Sequence, residues 1–133
     1  MNIIEIVIKR LSQFPQLRYE FEQENQLTVY SNTDSCNIYI KFWEMEHTMF
    51  FERWHWHFEN NDRENFALID TLTSIISNRA QVKVFKRFGK AYRWDMELPD
   101  DRICKKKTLH TIIPKWLMLF QTLTIEYNSI VFL

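Results

Sequence analysis

Two histidines separated by one residue have the types and spacing that could support chemistry in this chain. They are His55 and His57, within the stretch "FFERWHWHFEN" of residues 50–60. On a β-strand, residues two apart share a face, and two imidazoles on one face can hold one zinc ion. A zinc site in a protein needs a third ligand and usually a fourth. The two histidines alone therefore do not predict a metal site.

Other ligands do not complete such a site in the sequence. His47 precedes His55 by eight residues, which is about 26 Å on a continuous strand at ~3.3 Å per residue. His110, Cys36 and Cys104 would have to arrive from other elements, and no His-Glu-x-x-His or paired Cys-x-x-Cys motif is present. We therefore expect no metal and no cofactor, and we interpret the two histidines as solvent-facing or partner-contacting residues.

Catalytic patterns are equally scarce. The chain has no G-x-S-x-G nucleophile elbow, and its one glycine, Gly89, cannot build a phosphate or dinucleotide loop. Three glutamates around His47 could be drawn as acid and base, but charged residues at a turn more often form a solvated edge. The sequence predicts a protein that is not an enzyme. The alternative of a small hydrolase or nuclease centred on the two histidines stays open.

Composition indicates one compact domain over residues 1–133, long enough for a single core. Seventeen basic and seventeen acidic residues cancel, so nucleic acid is not the expected partner and net charge does not oppose a homodimer. The N-terminal apolar run precedes its basic residues, the reverse of a secretory signal, and no apolar run approaches the roughly 20 residues of a membrane span. We expect a cytoplasmic location and no membrane contact.

Hydrophobic spacing predicts ten elements in the order α-β-β-β-β-α-β-β-α-β. They are a helix over 2–14, a hairpin over 17–31, strands over 36–44 and 48–58, a helix from Asn61 to about Asn78, a hairpin over 81–98, a short helix from Pro114 and a strand over 124–133. The charged stretch "DDRICKKK" is predicted to be an exposed loop. This order indicates an α+β domain: an antiparallel sheet of about six to seven strands, with two to three helices packed on one face.

Two elements carry more specific predictions about burial. In the strand over 48–58, alternation places Phe50, Trp54, Trp56 and Phe58 in the core, and the residues of opposite parity outside. In the second helix, the predicted core-facing residues are Phe66, Ile69, Leu72 and Ile76.

The outward face of the predicted sheet interleaves aromatic and charged residues, a mixture that is enriched at protein interfaces. Strand parity places Phe51, Lys83, Phe85 and Arg87 on this face, together with the residues predicted below to bind a partner. Two alternatives stay open: another segment covers the face, or its aromatics stack on single-stranded RNA. The predicted partner-binding residues are Tyr39, Lys41, Trp43, Arg53, His55, His57, Arg93, Asp95 and Glu97.

The segment "VFKRFGKAYRWDMEL" (84–98) resembles a hairpin that recurs in small bacterial immunity proteins of polymorphic and contact-dependent toxin systems. The resemblance implies a small cytoplasmic antitoxin without catalysis, which binds a cognate toxin domain and occludes it. The order of elements also resembles that of type III secretion chaperones, which are dimeric α+β proteins. A homodimeric chaperone or scaffold, associating through the hydrophobic C-terminus "SIVFL", is therefore the alternative prediction.

Overall fold

The structure is a computed structural model that describes residues 2–22, 25–33, 36–98, 106–109, 124–128 and 132–133. In this part of the chain, two helices and nine strands follow one another. They are α1 (Ile3–Leu11), β1 (Arg18–Glu22), β2 (Gln26–Tyr30), β3 (Ile38–Phe42), β4 (Glu46–Phe51), β5 (Trp54–Glu59), α2 (Asp62–Ile76), β6 (Gln81–Arg87), β7 (Lys90–Glu97), β8 (Lys106–Leu109) and β9 (Thr124–Asn128).

The strands form two antiparallel sheets. The first has the order β1-β2-β3-β4-β5, and the second has the order β8-β7-β6-β9. The prediction of an α+β fold with antiparallel pairing is confirmed, but the prediction of one sheet with six to seven strands is wrong. The chain leaves the first sheet after β5, passes through α2, and starts a second sheet at β6. The predicted helix from Pro114 lies outside the described residues.

Both helices begin where the sequence predicts, because an asparagine caps each of them. The side chain of Asn2 accepts a hydrogen bond from the backbone N–H of Glu5 at 2.9 Å, and Asn61 accepts one from Glu64 at 2.9 Å. These bonds satisfy N–H groups that have no partner within the first helical turn.

The helix α2 ends in a Schellman motif. The N–H of Arg79 donates to the carbonyl of Ser74 at 2.8 Å, and Asn78 adopts a positive φ of 60°.

The C-terminal half of α2 is enclosed on all sides. Every residue over 71–76 is buried, including three polar ones, so the buried surface of the helix is wider there than a one-sided stripe. The N-terminal half reaches beyond the core, and Phe66 is 69% exposed. The prediction that Phe66 belongs to the core is therefore wrong, while Ile69, Leu72 and Ile76 are buried as predicted.

A tight hairpin replaces the long strand predicted over 48–58. Phe51 pairs directly with Trp54, so only Glu52 and Arg53 form the turn, and Glu52 takes a φ of 57°. The turn reverses the chain and changes which residues of β4 face the core. Phe51 is buried, whereas Phe50 points outward, opposite to their predicted positions. On β5, Trp54 and Phe58 are buried as predicted, and Trp56 packs against the core while partly exposed.

One hydrophobic core joins both helices and both sheets. Since the same cluster includes residues of every layer, the two sheets and the helices enclose a common interior. Its members include Val7 and Leu11 of α1, Leu68 and Leu72 of α2, Ile38, Ile40 and Met49 of the first sheet, and Val82, Val84, Trp94 and Met96 of the second.

The last third of the chain adds two findings. Residues 106–109 form β8 and pair with β7, so the prediction of a loop is wrong for Lys106 and Lys107, the two residues that this strand shares with "DDRICKKK". Phe132 is buried and lies with its ring centroid 5.8 Å from that of Phe51. The predicted association through "SIVFL" would require exposing a ring that already belongs to the core. Neither described helix is long and apolar enough to cross a membrane.

Candidate binding surface on the five-stranded sheet

The five-stranded sheet has one face on the core and an opposite face, here called the outer face. The strand register aligns its side chains in two rows that cross all five strands. The first row is Glu20, Thr28, Tyr39, Phe50 and His55, and the second is Glu22, Gln26, Lys41, Thr48 and His57. Aromatic residues of one row thus lie beside polar residues of the other.

Large aromatic side chains on this face remain in contact with solvent. Tyr39 is 40% exposed, Phe50 is 42% exposed, and Trp43, just beyond the end of β3, is 52% exposed. The ammonium group of Lys41 lies 4.7 Å from the ring centroid of Trp43, and Phe50 stacks on His55 at a centroid distance of 5.9 Å. The outer face is therefore an accessible aromatic surface bordered by cationic and imidazole groups.

The two histidines stand next to each other at the β5 side of the outer face. Their ring centroids are 5.5 Å apart, and the ring planes meet at 79°. The Nδ1 atom of His57 lies 2.9 Å from Thr48 Oγ1 and 3.4 Å from Glu46 Oε1, both on β4. The hairpin creates these contacts, because it places β4 directly beside β5.

The hydroxyl and the carboxylate around His57 are not arranged as a nucleophile–base–acid triad. In a triad they contact opposite ring nitrogens, so that the proton can be relayed through the imidazole. Here both lie against Nδ1. Thr48 and Glu46 therefore orient the ring of His57 and leave Nε2 as the atom that this ring can offer to a ligand.

His47 is close to the pair along the sheet but points the other way. It pairs with Phe58 on β5, so the predicted separation of about 26 Å along one strand does not exist. Its side chain lies on the core face, where it is 1% exposed and contacts Phe42 edge-on at 5.3 Å. Burial lowers the pKa of His47, and the nearby side chain of Asn60 partly offsets this shift. The opposite face, rather than distance, separates His47 from His55 and His57.

Potential metal ligands are spread over the described residues rather than clustered. In that part of the chain, no group of three or more His, Cys, Asp or Glu side chains is placed to hold a metal ion. Cys36 is half-buried against the core, and Cys104 and His110 lie outside the described residues.

The predicted partner-binding residues divide between two sheets. Five of them lie together at the outer face, namely Tyr39, Lys41, Trp43, His55 and His57. Arg53 is exposed in the β4–β5 turn, at one end of that face. The other three belong to β7 of the second sheet and are Arg93, Asp95 and Glu97.

The three residues on β7 differ from the others in environment as well as position. Asp95 is 2% exposed and accepts two hydrogen bonds from Arg93, and Glu97 pairs with Lys83 at 3.6 Å. The prediction of a single sheet had placed residues of two separate surfaces on one face. The prediction that Asp95 points into solvent is wrong.

On β4, three residues of the outer face were not predicted to belong to it, namely Glu46, Thr48 and Phe50. On a continuous strand, Phe50 would share a face with Trp54. The two-residue turn at Glu52 and Arg53 pairs Phe51 with Trp54 instead, so the residues of β4 face the side opposite to the predicted one.

Comparison with known proteins adds no relative. No family model, no curated protein and no solved structure matches this chain.

Proposed function

We propose that this protein is a non-catalytic binding module of the immunity-protein type, which binds a cognate toxin domain through the outer face and occludes it. The observation that carries the proposal is the row of exposed aromatic side chains across adjacent strands, bordered by Lys41 and the two histidines. The second sheet and both helices contribute to the core on the opposite side.

The energetics of this face suit contact with another macromolecule. Complete burial of a large apolar side chain stabilises a complex by about 1.5 to 3 kcal/mol, so the exposed half of each ring still offers on the order of 1 kcal/mol. Tyr39, Trp43 and Phe50 are all roughly half-exposed. Aromatic residues are also the commonest energetic centres of protein interfaces. These three rings are therefore the expected anchors, and the charged residues around them are expected to set orientation.

The choice of a toxin as partner rests on the resemblance of residues 84–98 to immunity proteins. Those residues form the β6–β7 hairpin of the second sheet, with its turn at Phe88 and Gly89. Inhibition by occlusion requires affinity and shape but no chemistry from the inhibitor, which agrees with a binding surface made of aromatic and polar side chains.

The test is co-purification of the tagged chain with the protein encoded by the adjacent gene, followed by an assay of protection from that protein's toxicity. The wild type should bind and protect. The double variant Tyr39→Ser/Phe50→Ser should lose both properties while it remains folded by circular dichroism. Phe66→Ser is the matched control, because Phe66 is exposed on α2 rather than on the outer face. Absence of binding by the wild type, or equal loss in the control, would contradict the proposal.

A further inference from the structure

We infer that His55 and His57 form a chelating site for one divalent cation of the zinc, nickel and copper class. The juxtaposition that carries this inference is a pair of neighbouring imidazoles, one of which is oriented by a carboxylate and a hydroxyl on the adjacent strand. The site does not depend on the proposed toxin partner, because all of these groups belong to one chain.

The spacing of the two rings matches what one ion requires. A zinc–nitrogen bond is about 2.0 to 2.1 Å long, so the ion lies about 3.2 Å from the centre of each imidazole ring. At the tetrahedral angle, the centres of two such rings are then about 5.2 Å apart. The observed centroid distance between His55 and His57 is 5.5 Å. Rotation of the His55 ring about its Cβ–Cγ bond would change which of its nitrogens faces His57 and would leave the ring centres near this separation.

The surroundings of His57 are those of a metal-binding histidine. The carboxylate of Glu46 can only accept a hydrogen bond, so we assign the proton of the neutral ring to Nδ1, which faces Glu46 and Thr48. The Nε2 lone pair is then available to a cation. Histidine ligands in metal sites commonly donate their other N–H to a carboxylate, which fixes the tautomer and makes the ligating nitrogen more basic.

Two imidazoles supply only part of a coordination shell. The remaining positions are open to water or to a side chain from a bound protein, so the bound ion is expected to exchange readily. Nitrogen ligands favour copper, nickel and zinc over magnesium and calcium, which prefer oxygen. The site should therefore bind copper(II) more tightly than zinc, as the Irving–Williams order requires, and magnesium not at all.

Calorimetric titration of the full chain with copper(II), nickel(II), zinc and magnesium salts tests the inference. We expect one equivalent of copper, nickel or zinc and none of magnesium. His55→Ala and His57→Ala should each lower the affinity more than tenfold. Thr48→Val and Glu46→Gln should lower it about tenfold, the smaller loss typical of residues that position a ligand. Glu59→Gln is the control, since Glu59 pairs with Glu46 on the same face but has its carboxylate near Asn61.

A second readout identifies the ligands even if a variant is less stable. In the wild type, zinc should shift the imidazole NMR signals of His55 and His57 and leave those of the buried His47 unchanged. Zinc affinity that survives His57→Ala, saturation by magnesium, or no saturable binding at millimolar zinc would each overturn the inference. Unchanged affinity in both Thr48→Val and Glu46→Gln would overturn the positioning role of those two residues.

Discussion

The guanidinium of Arg93 donates two hydrogen bonds, each 2.8 Å long, to the carboxylate of Asp95 on the same strand. The two partners differ in their access to water: the side chain of Asp95 is 3% exposed, whereas that of Arg93 is 31% exposed. Arg93 also lies over the ring of Phe85 at 4.7 Å. The carboxylate is therefore the member of the pair that depends on its partner for solvation.

This difference predicts unequal effects of removing either partner. Arg93→Met leaves a buried carboxylate without its main hydrogen-bond donor, which should cost about 3 to 5 kcal/mol of unfolding free energy. Asp95→Asn leaves a guanidinium that water still reaches, so the expected loss is about 1 to 2 kcal/mol. Urea unfolding of both variants measures the difference.

The double variant Arg93→Met/Asp95→Leu serves as the control for this pair. It leaves no charge of the pair in the buried position, so it should be more stable than Arg93→Met alone. Equal losses in the two single variants would show that Asp95 is solvated by other groups.

The burial of Phe132 predicts a difference between the last two residues. Phe132→Ala removes a buried ring from the core and should cost about 3 to 5 kcal/mol. Leu133→Ala changes a half-exposed side chain and should cost less than 0.5 kcal/mol. Thermal unfolding of both variants checks this, and similar stabilities would show that Phe132 does not pack on Phe51.

Local signals in the sequence predicted where both helices begin and where the β6–β7 hairpin turns. Asn2 and Asn61 cap the helices they were expected to cap, and Gly89 lies in the turn of the predicted hairpin. Alternation placed Tyr92, Trp94 and Met96 in buried positions. These features depend on interactions between residues close in the chain, which is why the sequence shows them.

The turn between β4 and β5 could not be predicted in this way. Two-residue hairpin turns favour Gly, Asn or Asp, because these residues tolerate a positive φ, and Glu52 and Arg53 give no such signal. Without this turn, Phe50 was predicted to face the core and Phe51 to face outward, the reverse of their positions. The contact between His57 and Glu46 could not be predicted either, because it requires β4 to lie beside β5. The division into two sheets depends on tertiary packing, so Asp95 was wrongly grouped with residues such as Tyr39.

The turn of the β6–β7 hairpin offers a route to higher stability. Phe88 has a φ of 54° and Gly89 a φ of 71°, so both residues of the turn are in the left-handed region. A phenylalanine is strained there, whereas Asn-Gly is the preferred pair for such a turn. Phe88→Asn should therefore raise the unfolding free energy by about 1 kcal/mol, as measured by urea unfolding.

Gly89→Ala should lower the stability for the same reason that Phe88→Asn should raise it, namely the positive φ of the turn residues. A Cβ added at Gly89 would have no atom within 4 Å, so any loss of stability must come from the positive φ rather than from a clash. We expect a loss of about 1 kcal/mol. A neutral Gly89→Ala together with a destabilising Phe88→Asn would contradict the left-handed geometry of this turn.

His47 predicts how the stability of the fold depends on pH. Burial lowers the pKa of His47 in the folded protein, while the unfolded chain protonates it near pH 6.5. Below about pH 6.5 the unfolded state binds a proton that the folded state refuses, so stability falls by up to about 1.4 kcal/mol per pH unit. The stabilisation by neutral His47 is complete above about pH 6.5. It declines as the pH falls toward the pKa of His47 in the folded protein. Urea unfolding between pH 8 and pH 5.5 measures this slope.

His47→Leu tests whether this pH dependence comes from His47. Both ring nitrogens of His47 are buried, and neither reaches hydrogen-bond geometry with a described residue. A leucine of similar volume removes both the titration and the unsatisfied polar atoms, so it should flatten the slope and add about 1 kcal/mol near neutral pH. A slope that persists unchanged in His47→Leu would contradict the assignment of this acid sensitivity to His47.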